Sequence, residues 1–468
     1  NVGGIELIEG EWWPEDQRQA AQSIPVMSLE DREAQRIGIN IGDRISYVVA
    51  GAMLEFRIAA IHRQLAQPGT CGAGYNSIRF DDEVSRYTLY RNFYDPYARE
   101  WQHGNSRWDL IDVVRMTYAL RPEGINWPSG ADGQPSFKLE LLTEANGISH
   151  AAAHDALSDV EATIALARLV RERQPRLFDY AYKQRLKHEA GTLLDVQRCS
   201  MVLHISSRYP ASQGCAALVA PLAHHVSNKN AVIVYDLGVD PGPLLALTAD
   251  EIRQRLYTPQ SELGDGVERI PLKQVHINRS PMLVTPDILQ QPGYERLGID
   301  RDKCERHAGI LQGAGRALAD KVREVFNQPH PASGDVDACL YDGFFGNADR
   351  HTMVQVRESS AAELASGGFH FEDRRLGELL FRYRARNFPD SLSAEEHAAW
   401  KHYCQRRLRE PQAGATITLA QFTSEILEKL AEPGLSARDE SILHSLLAYG
   451  EQISGEKLTA LLGQGTKS

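Results

Sequence analysis

Ala153-His154-Asp155-Ala156-Leu157-Ser158-Asp159-Val160 leads into a stretch where Leu157, Val160, Ile164 and Ala167 recur at helical spacing. The spacing predicts an amphipathic helix over about residues 155–172. Asp159 then lies on the helix, and His154 lies where the chain enters it. A metal-dependent hydrolase needs such a pair, with a rigid carboxylate for a cation and a mobile base to take a proton from the attacking water. Taken alone, a His and an Asp at this spacing are more often a helix-capping region with solvated charges.

A second constellation lies upstream, Gly74-Tyr75-Asn76-Ser77-Ile78-Arg79-Phe80-Asp81-Asp82-Glu83. A strand-like approach ends in acids at the mouth of a following helix. Paired divalent cations want such carboxylates, whereas the plain alternative is an acidic first turn complementing the helix dipole.

Outward from these motifs the texture changes several times. Ile24-Pro25-Val26-Met27 is strand-like, and Ser28 caps a predicted helix with Asp31 at its third position. A turn from Gly38 to Gly42 leads to the apolar run beginning at Ile45. Between Ile61 and Val170 the pattern reads as long, aromatic-rich, Arg-studded helices, ended by Arg173-Gln174-Pro175-Arg176. Strands such as Ala231-Val232-Ile233-Val234-Tyr235 and Gln274-Val275-His276-Ile277 follow. The clearest linker is Asn327-Gln328-Pro329-His330-Pro331-Ala332-Ser333-Gly334, and residues 335–460 read as mostly helical.

The 468 residues suffice for two to four domains. A net charge of −11 excludes an evenly basic nucleic-acid coat but allows Lys and Arg to concentrate in one groove. Six scattered cysteines without a CxxC pair suggest neither a zinc site nor a disulfide framework, and they fit a reducing cytoplasm. The apolar run Ile45 to Phe56 is too short to span a bilayer, so no membrane association is expected.

The strings between and beyond the two motifs are unusual. They include Tyr94-Asp95-Pro96-Tyr97, Asn105-Ser106-Arg107-Trp108-Asp109-Leu110 and Tyr118-Ala119-Leu120-Arg121-Pro122-Glu123-Gly124-Ile125-Asn126-Trp127-Pro128. Arg176-Leu177-Phe178-Asp179-Tyr180, His276-Ile277-Asn278, Tyr341-Asp342-Gly343-Phe344-Phe345 and Tyr383-Arg384-Ala385-Arg386-Asn387-Phe388-Pro389 extend the series. From about Ile61 to Ile453 the sequence resembles bacterial exonuclease I, of the exonuclease group with four metal-binding acids and one histidine. The resemblance implies an α/β protein. A truncated RNase H-like exonuclease domain (59–174) would be followed by an SH3-like β-rich domain (175–328) and a C-terminal helical domain (335–460), which closes a clamp around the strand.

It also implies 3′→5′ hydrolysis of single-stranded DNA to 5′-mononucleotides with two Mg²⁺ ions, as a cytoplasmic monomer whose partner is single-stranded DNA-binding protein. Asp81 and Asp159 would be metal carboxylates and His154 the general base. Arg86, Tyr97, Trp101, Arg115, Arg121, Lys138, Tyr180 and Lys187 would contact DNA, mixing cations for phosphates with flat rings for bases. Seven Lys/Arg against two acids between Arg168 and His188 suit the same path, although a charge run is usually a solvated face. Lys138 stands where the family tends to carry Arg, which replaces a bidentate fork by a point charge. Cys71 and Trp127 read as packing residues.

The family's opening Asp-x-Glu strand has no counterpart. Asp31-Arg32-Glu33 has that spacing but falls on the predicted Ser28-capped helix. Residues 1–58, with Glu9-Gly10-Glu11-Trp12-Trp13-Pro14 and Arg36-Ile37-Gly38-Ile39-Asn40-Ile41-Gly42-Asp43-Arg44, instead resemble an extracytoplasmic segment of FtsX-like ABC-transporter permeases, a foreign leader. The expectation is therefore an impaired exonuclease, or alternatively a non-catalytic remnant that binds single-stranded DNA.

Overall fold

The computed structural model describes residues 5–10, 26–30, 44–49, 52–64, 69–149, 156–264, 266–328, 334–455 and 457–458, the first four stretches as strand backbone. They divide into two compact units.

The larger unit comprises the described residues of Gly69–Thr88 and Pro96–Pro331. It opens with strand β5 (Cys71–Gly74), parallel to β6 (Ser106–Asp109), with Gly74 opposite Asp109. A side chain at Gly74 would meet the Ser77 Cβ at 2.7 Å, so the turn after β5 requires a glycine. The strands feed helices α1 (Asp81–Arg91) and α2 (Leu110–Leu120). Asp109 caps α2 by accepting from the Ile111 N–H. Val113, Val114, Met116 and Ala119 bury α2 on nearly all sides, as its apolar run requires. Helices α3 (Leu139–Ala145), α4 (Ala156–Arg173) and α5 (Pro175–Lys183) follow, Pro175 supplying an N–H-free first turn.

The same unit holds a five-stranded antiparallel sheet in the order β10-β9-β8-β7-β11. Its strands are β7 (Val202–Ile205), β8 (Ala216–His224), β9 (Ala231–Asp236), β10 (Leu272–His276) and β11 (Met282–Val284). The near-continuous apolar run of β8 marks a central strand covered on both faces. Leu218, Ile233 and Leu272 join the main core with α2, while Val219, Val234 and Val275 form a second cluster on the opposite face. Helix α6 (Arg301–Phe326) packs on β8 and kinks at Gly315, whose φ of +58° suits glycine.

The other unit gathers the described residues of Asn1–Pro68, Leu89–Asp95 and Ala332–Ser468. Strand β4 (Ala52–Gln64) pairs antiparallel with β1 (Ile5–Gly10) and β3 (Arg44–Val49), and parallel with β2 (Val26–Glu30). Two sequence expectations change here. Ser28 sits in β2 opposite Ala60 instead of capping a helix, and Ile61 lies in β4 instead of opening a helical region. Pairing between distant segments overrides local capping signals. Asp31 and the linker core 329–333 lie outside the described residues.

Beyond residue 334 this unit is helical, as the sequence predicts. Its main helices are α7 (Asn347–Glu358), α8 (Arg374–Asn387), α9 (Ala394–Arg409), α10 (Leu419–Leu430) and α11 (Ala437–Ser454). Capping boxes start α9 (Ser393, Glu396) and α10 (Thr418, Gln421). Buried Arg382 binds Asp335, Asp337 at 3.0 Å, and the Tyr403 hydroxyl at 2.9 Å; this many partners offset the desolvation of its charge.

Candidate active site

Two parallel strands that end side by side open a crevice beyond their carboxyl ends. Here the loop Tyr75–Phe80 leaves β5 and is tied to the end of β6 by one side chain. Asp109 Oδ1 accepts from the Asn76 N–H at 2.7 Å and the Ile111 N–H at 3.2 Å, and Oδ2 from the Ile78 N–H at 3.2 Å. Burial, with Asp112 nearby, pushes the Asp109 carboxyl up to about 6, while the three N–H groups pull the other way. Asp109 therefore positions the loop that delivers Asp81. The sequence carried a signal for it, an Asp directly before the apolar run of α2.

The three acids opening α1 have separate fates. Asp82 is buried and binds Arg99 at 2.6 Å and Arg107 at 2.8 Å. Glu83 binds Arg86 at 2.6 Å. Asp81 is exposed, and among the described residues no cation pairs with it. It lines a cavity of about 1530 Å³ together with Asp159, Thr163, Arg115 and Lys138. The two carboxylates expected from sequence thus share one cavity, although α1 and α4 are far apart in the chain.

Helix α4 forms where its spacing predicts, but with a different face inward. Ala162, Leu166 and Val170 are fully buried, whereas Leu157, Val160 and Ile164 are exposed. Both stripes are apolar, so spacing alone could not choose between them. Val160 and Ile164 line the cavity beside Asp159. Phe80, 66% exposed, adds to this apolar rim.

The other expected site residues divide by environment. His154 lies outside the described residues. Arg115 lines the cavity, donates to Asp112 at 2.6 Å, and keeps a buried Nε without a hydrogen-bond partner. Lys138 is exposed on the same wall. Trp101 is 62% exposed, and half-buried Tyr97 carries the Arg86 guanidinium 5.4 Å from its ring centre. Arg86 itself is 3% exposed and binds Glu100 at 2.7 Å, so here it acts beneath the surface, holding Glu100 and Glu83 in place. Arg121 donates to the Leu120 carbonyl at 2.6 Å, the Tyr180 hydroxyl to the Leu283 carbonyl at 2.9 Å, and Lys187 to Asn230 Oδ1 at 3.4 Å. Of the expected DNA contacts only Arg115 and Lys138 line the Asp81–Asp159 cavity; Arg86, Tyr97, Trp101, Arg121, Tyr180 and Lys187 do not. Trp127 packs edge-on to Tyr118 and Phe137, and Cys71 is partly buried against the core, both as packing residues.

Asp81 and Asp159 offer oxygen donors of the kind that Mg²⁺ prefers. Among the described residues no group of three or more His, Cys, Asp or Glu gathers to hold a metal. The fit is to part of a donor set.

Three stretches match known families: residues 48–167 the family described as Exonuclease, 185–328 the Exonuclease I SH3-like domain, and 334–453 the Exonuclease I C-terminal domain. The first match begins inside the segment read from sequence as permease-like. The chain is 46% identical over 398 residues to Exodeoxyribonuclease I of Escherichia coli K12, covering 84% of this chain and 82% of that protein. It is similar to the solved Exonuclease I from Methylocaldum szegediense, with a TM-score of 0.78 and 51% identity, over 83% of this chain and 81% of the other. E. coli Exonuclease I in complex with a dA16 oligonucleotide gives 0.77 and 46%, over 82% and 81%.

Proposed function

The chain belongs to the exonuclease I family, and from that premise we propose that it is a 3′→5′ single-stranded DNA exonuclease acting at the Asp81–Asp159 cavity. The observation that carries this reading is the convergence of Asp81, Asp159, Arg115 and Lys138 on one cavity at the carboxyl ends of β5 and β6. Water attacks the terminal phosphorus, the bond to the neighbouring 3′-oxygen breaks, and a 5′-mononucleotide leaves a strand one residue shorter.

Asp81 and Asp159 would hold divalent cation, Mg²⁺ in this reading, which when bound supplies electrophilic assistance to the phosphoryl group. Asp109 keeps Asp81 in position, and His154, by family resemblance, takes the proton of the attacking water. Arg115 and Lys138 bring positive charge to the strand's phosphates, and Trp101 offers a face for stacking. Arg86, Tyr97, Arg121, Tyr180 and Lys187, by family resemblance, extend the DNA path away from the cavity. The natural context is a cytoplasmic monomer working with single-stranded DNA-binding protein, again by resemblance. Among the described residues no helix is long and apolar enough to cross a membrane.

Of the family's metal-binding acids Asp81 and Asp159 alone are recognised here, without the Asp-x-Glu pair, so metal affinity and turnover by this chain are expected to be low. The same shortfall favours a second reading, strand binding without hydrolysis. Mg²⁺-dependent release of mononucleotides from a 3′-labelled oligonucleotide separates the two. Release that disappears in Asp159→Ala supports the enzyme. Salt-dependent binding without release, unchanged in Asp159→Ala, supports the binding module. Turnover equal to that of the E. coli relative would overturn the expected impairment.

A further inference from the structure

One face of the five-stranded sheet is apolar except at one end. Val202, Val219, Val234 and Val275 cover most of it. Strand alternation then places His204, Asp236 and Lys273 on the same face, next to Tyr209. The Lys273 Nζ sits 4.3 Å from the Tyr209 ring centre, and the Tyr209 hydroxyl is 3.0 Å from His204 Nδ1. Lys273 Nζ is buried and has no hydrogen-bond partner. An ammonium has three donors to satisfy, and leaving all of them idle below the surface is unfavourable.

This polar end lines a cavity of about 740 Å³. Arg79, Arg208, Arg269, Arg279 and Lys273 border it, against Asp112 and Asp236 as acids. Asp112 is engaged by Arg79 at 2.9 Å and Arg115 at 2.6 Å. Arg208 and Arg279 are exposed and form no ion pair among the described residues. Burial lowers both His204 and His276, the latter to about 4, so neither imidazole competes as a cation at neutral pH. Burial also pushes Lys273 down to about 7, a penalty that an entering anion would relieve.

We propose that this cavity is a second phosphate-binding site, in which Lys273, Arg208 and Arg279 grip a phosphate of nucleic-acid origin. Several cations on different walls match a tetrahedral group with oxygens in several directions better than a flat carboxylate. The Arg79–Asp112–Arg115 chain links the cavity to the wall of the candidate active site, so a phosphate here belongs to the same polymer path or to the released product. The inference deepens the nuclease reading as to ligand, but phosphate binding itself stands apart from hydrolysis.

The test is calorimetric titration of the full chain with inorganic phosphate, 5′-dAMP and a dT16 oligonucleotide, in the parent and in Lys273→Met and Arg279→Gln. Phosphate and 5′-dAMP should bind, with affinity falling at least roughly tenfold in Lys273→Met, where a buried charged donor is lost. The solvent-exposed Arg279→Gln should weaken binding by about threefold, and it keeps the test readable where Lys273→Met fails to fold. A parallel loss of dT16 affinity assigns the site to the strand backbone, and loss confined to 5′-dAMP assigns it to the product. Phosphate affinity unchanged in either folded variant, or no phosphate binding by the parent, overturns the proposal. Failure of the nuclease assay leaves these titrations intact.

Discussion

The five-stranded sheet and the β5–β6 pair lie in the same unit but are finished differently. The sheet is sealed: Leu218 and Ile233 pack into one core, Val219 and Val234 into another. Among the described residues the β5–β6 pair is a sheet of two strands, and the segments that follow it leave Phe80, Val84, Leu157, Val160 and Ile164 exposed. A two-stranded parallel sheet is marginal by itself and is normally covered on both faces. Stability is thus concentrated in the sealed sheet, while Asp81 and Asp159 sit on an open apolar rim.

Truncating the sealed sheet should have the largest effect. Leu218→Ala removes a side chain that is almost wholly buried, and should lower the free energy of unfolding by about 3 kcal/mol in urea titration. A loss below about 1 kcal/mol would break the contrast. Next comes Asp109→Ala, which strands the N–H groups of Asn76, Ile78 and Ile111 and should lose about 2 kcal/mol at pH 7.

That site also has a pH signature. The folded carboxyl titrates at about 6, above its ordinary 3.8. The proton-linked part of its contribution is therefore fully present below about 3.8 and is lost as pH rises through about 6, whereas the three N–H hydrogen bonds are still accepted by the carboxylate at pH 7. Unfolding measured between these limits should show stability declining with pH in the parent, and a flatter profile in Asp109→Ala. An identical slope in the two proteins would remove Asp109 as the cause.

The smallest effect belongs to the open rim. Val160→Gln should change stability by less than about 0.5 kcal/mol, because that side chain is already half solvated. It should also reduce the fluorescence of a dye that binds exposed apolar surface. A loss of 2 kcal/mol or more, on the scale of burying a polar group, would mean that the rim is covered in solution.

Much of the candidate site was legible before any fold. Asp81 and Asp159 stand in distinctive strings, and the structure brings them to one cavity. What spacing could not supply was the inward face of α4, since its two apolar stripes have the same period. Nor could it show that Arg86 is withdrawn into contacts with Glu83 and Glu100, or that Asp109 ties the Asp81 loop. Each of these depends on a neighbour distant in sequence.

The sequence by itself determined the family, the helical texture beyond residue 334 and the acids available for chemistry, because local composition and long matching strings carry that information. Only the tertiary structure decided that Asp82 is buried in ion pairs with Arg99 and Arg107 while Asp81 beside it is exposed. It also decided that Ser28 belongs to a strand, and that Lys273 lies over the Tyr209 ring without a hydrogen-bond partner at the polar end of an apolar sheet. Burial and pairing are relations between distant segments, and the protonation and exposure of a side chain follow from them.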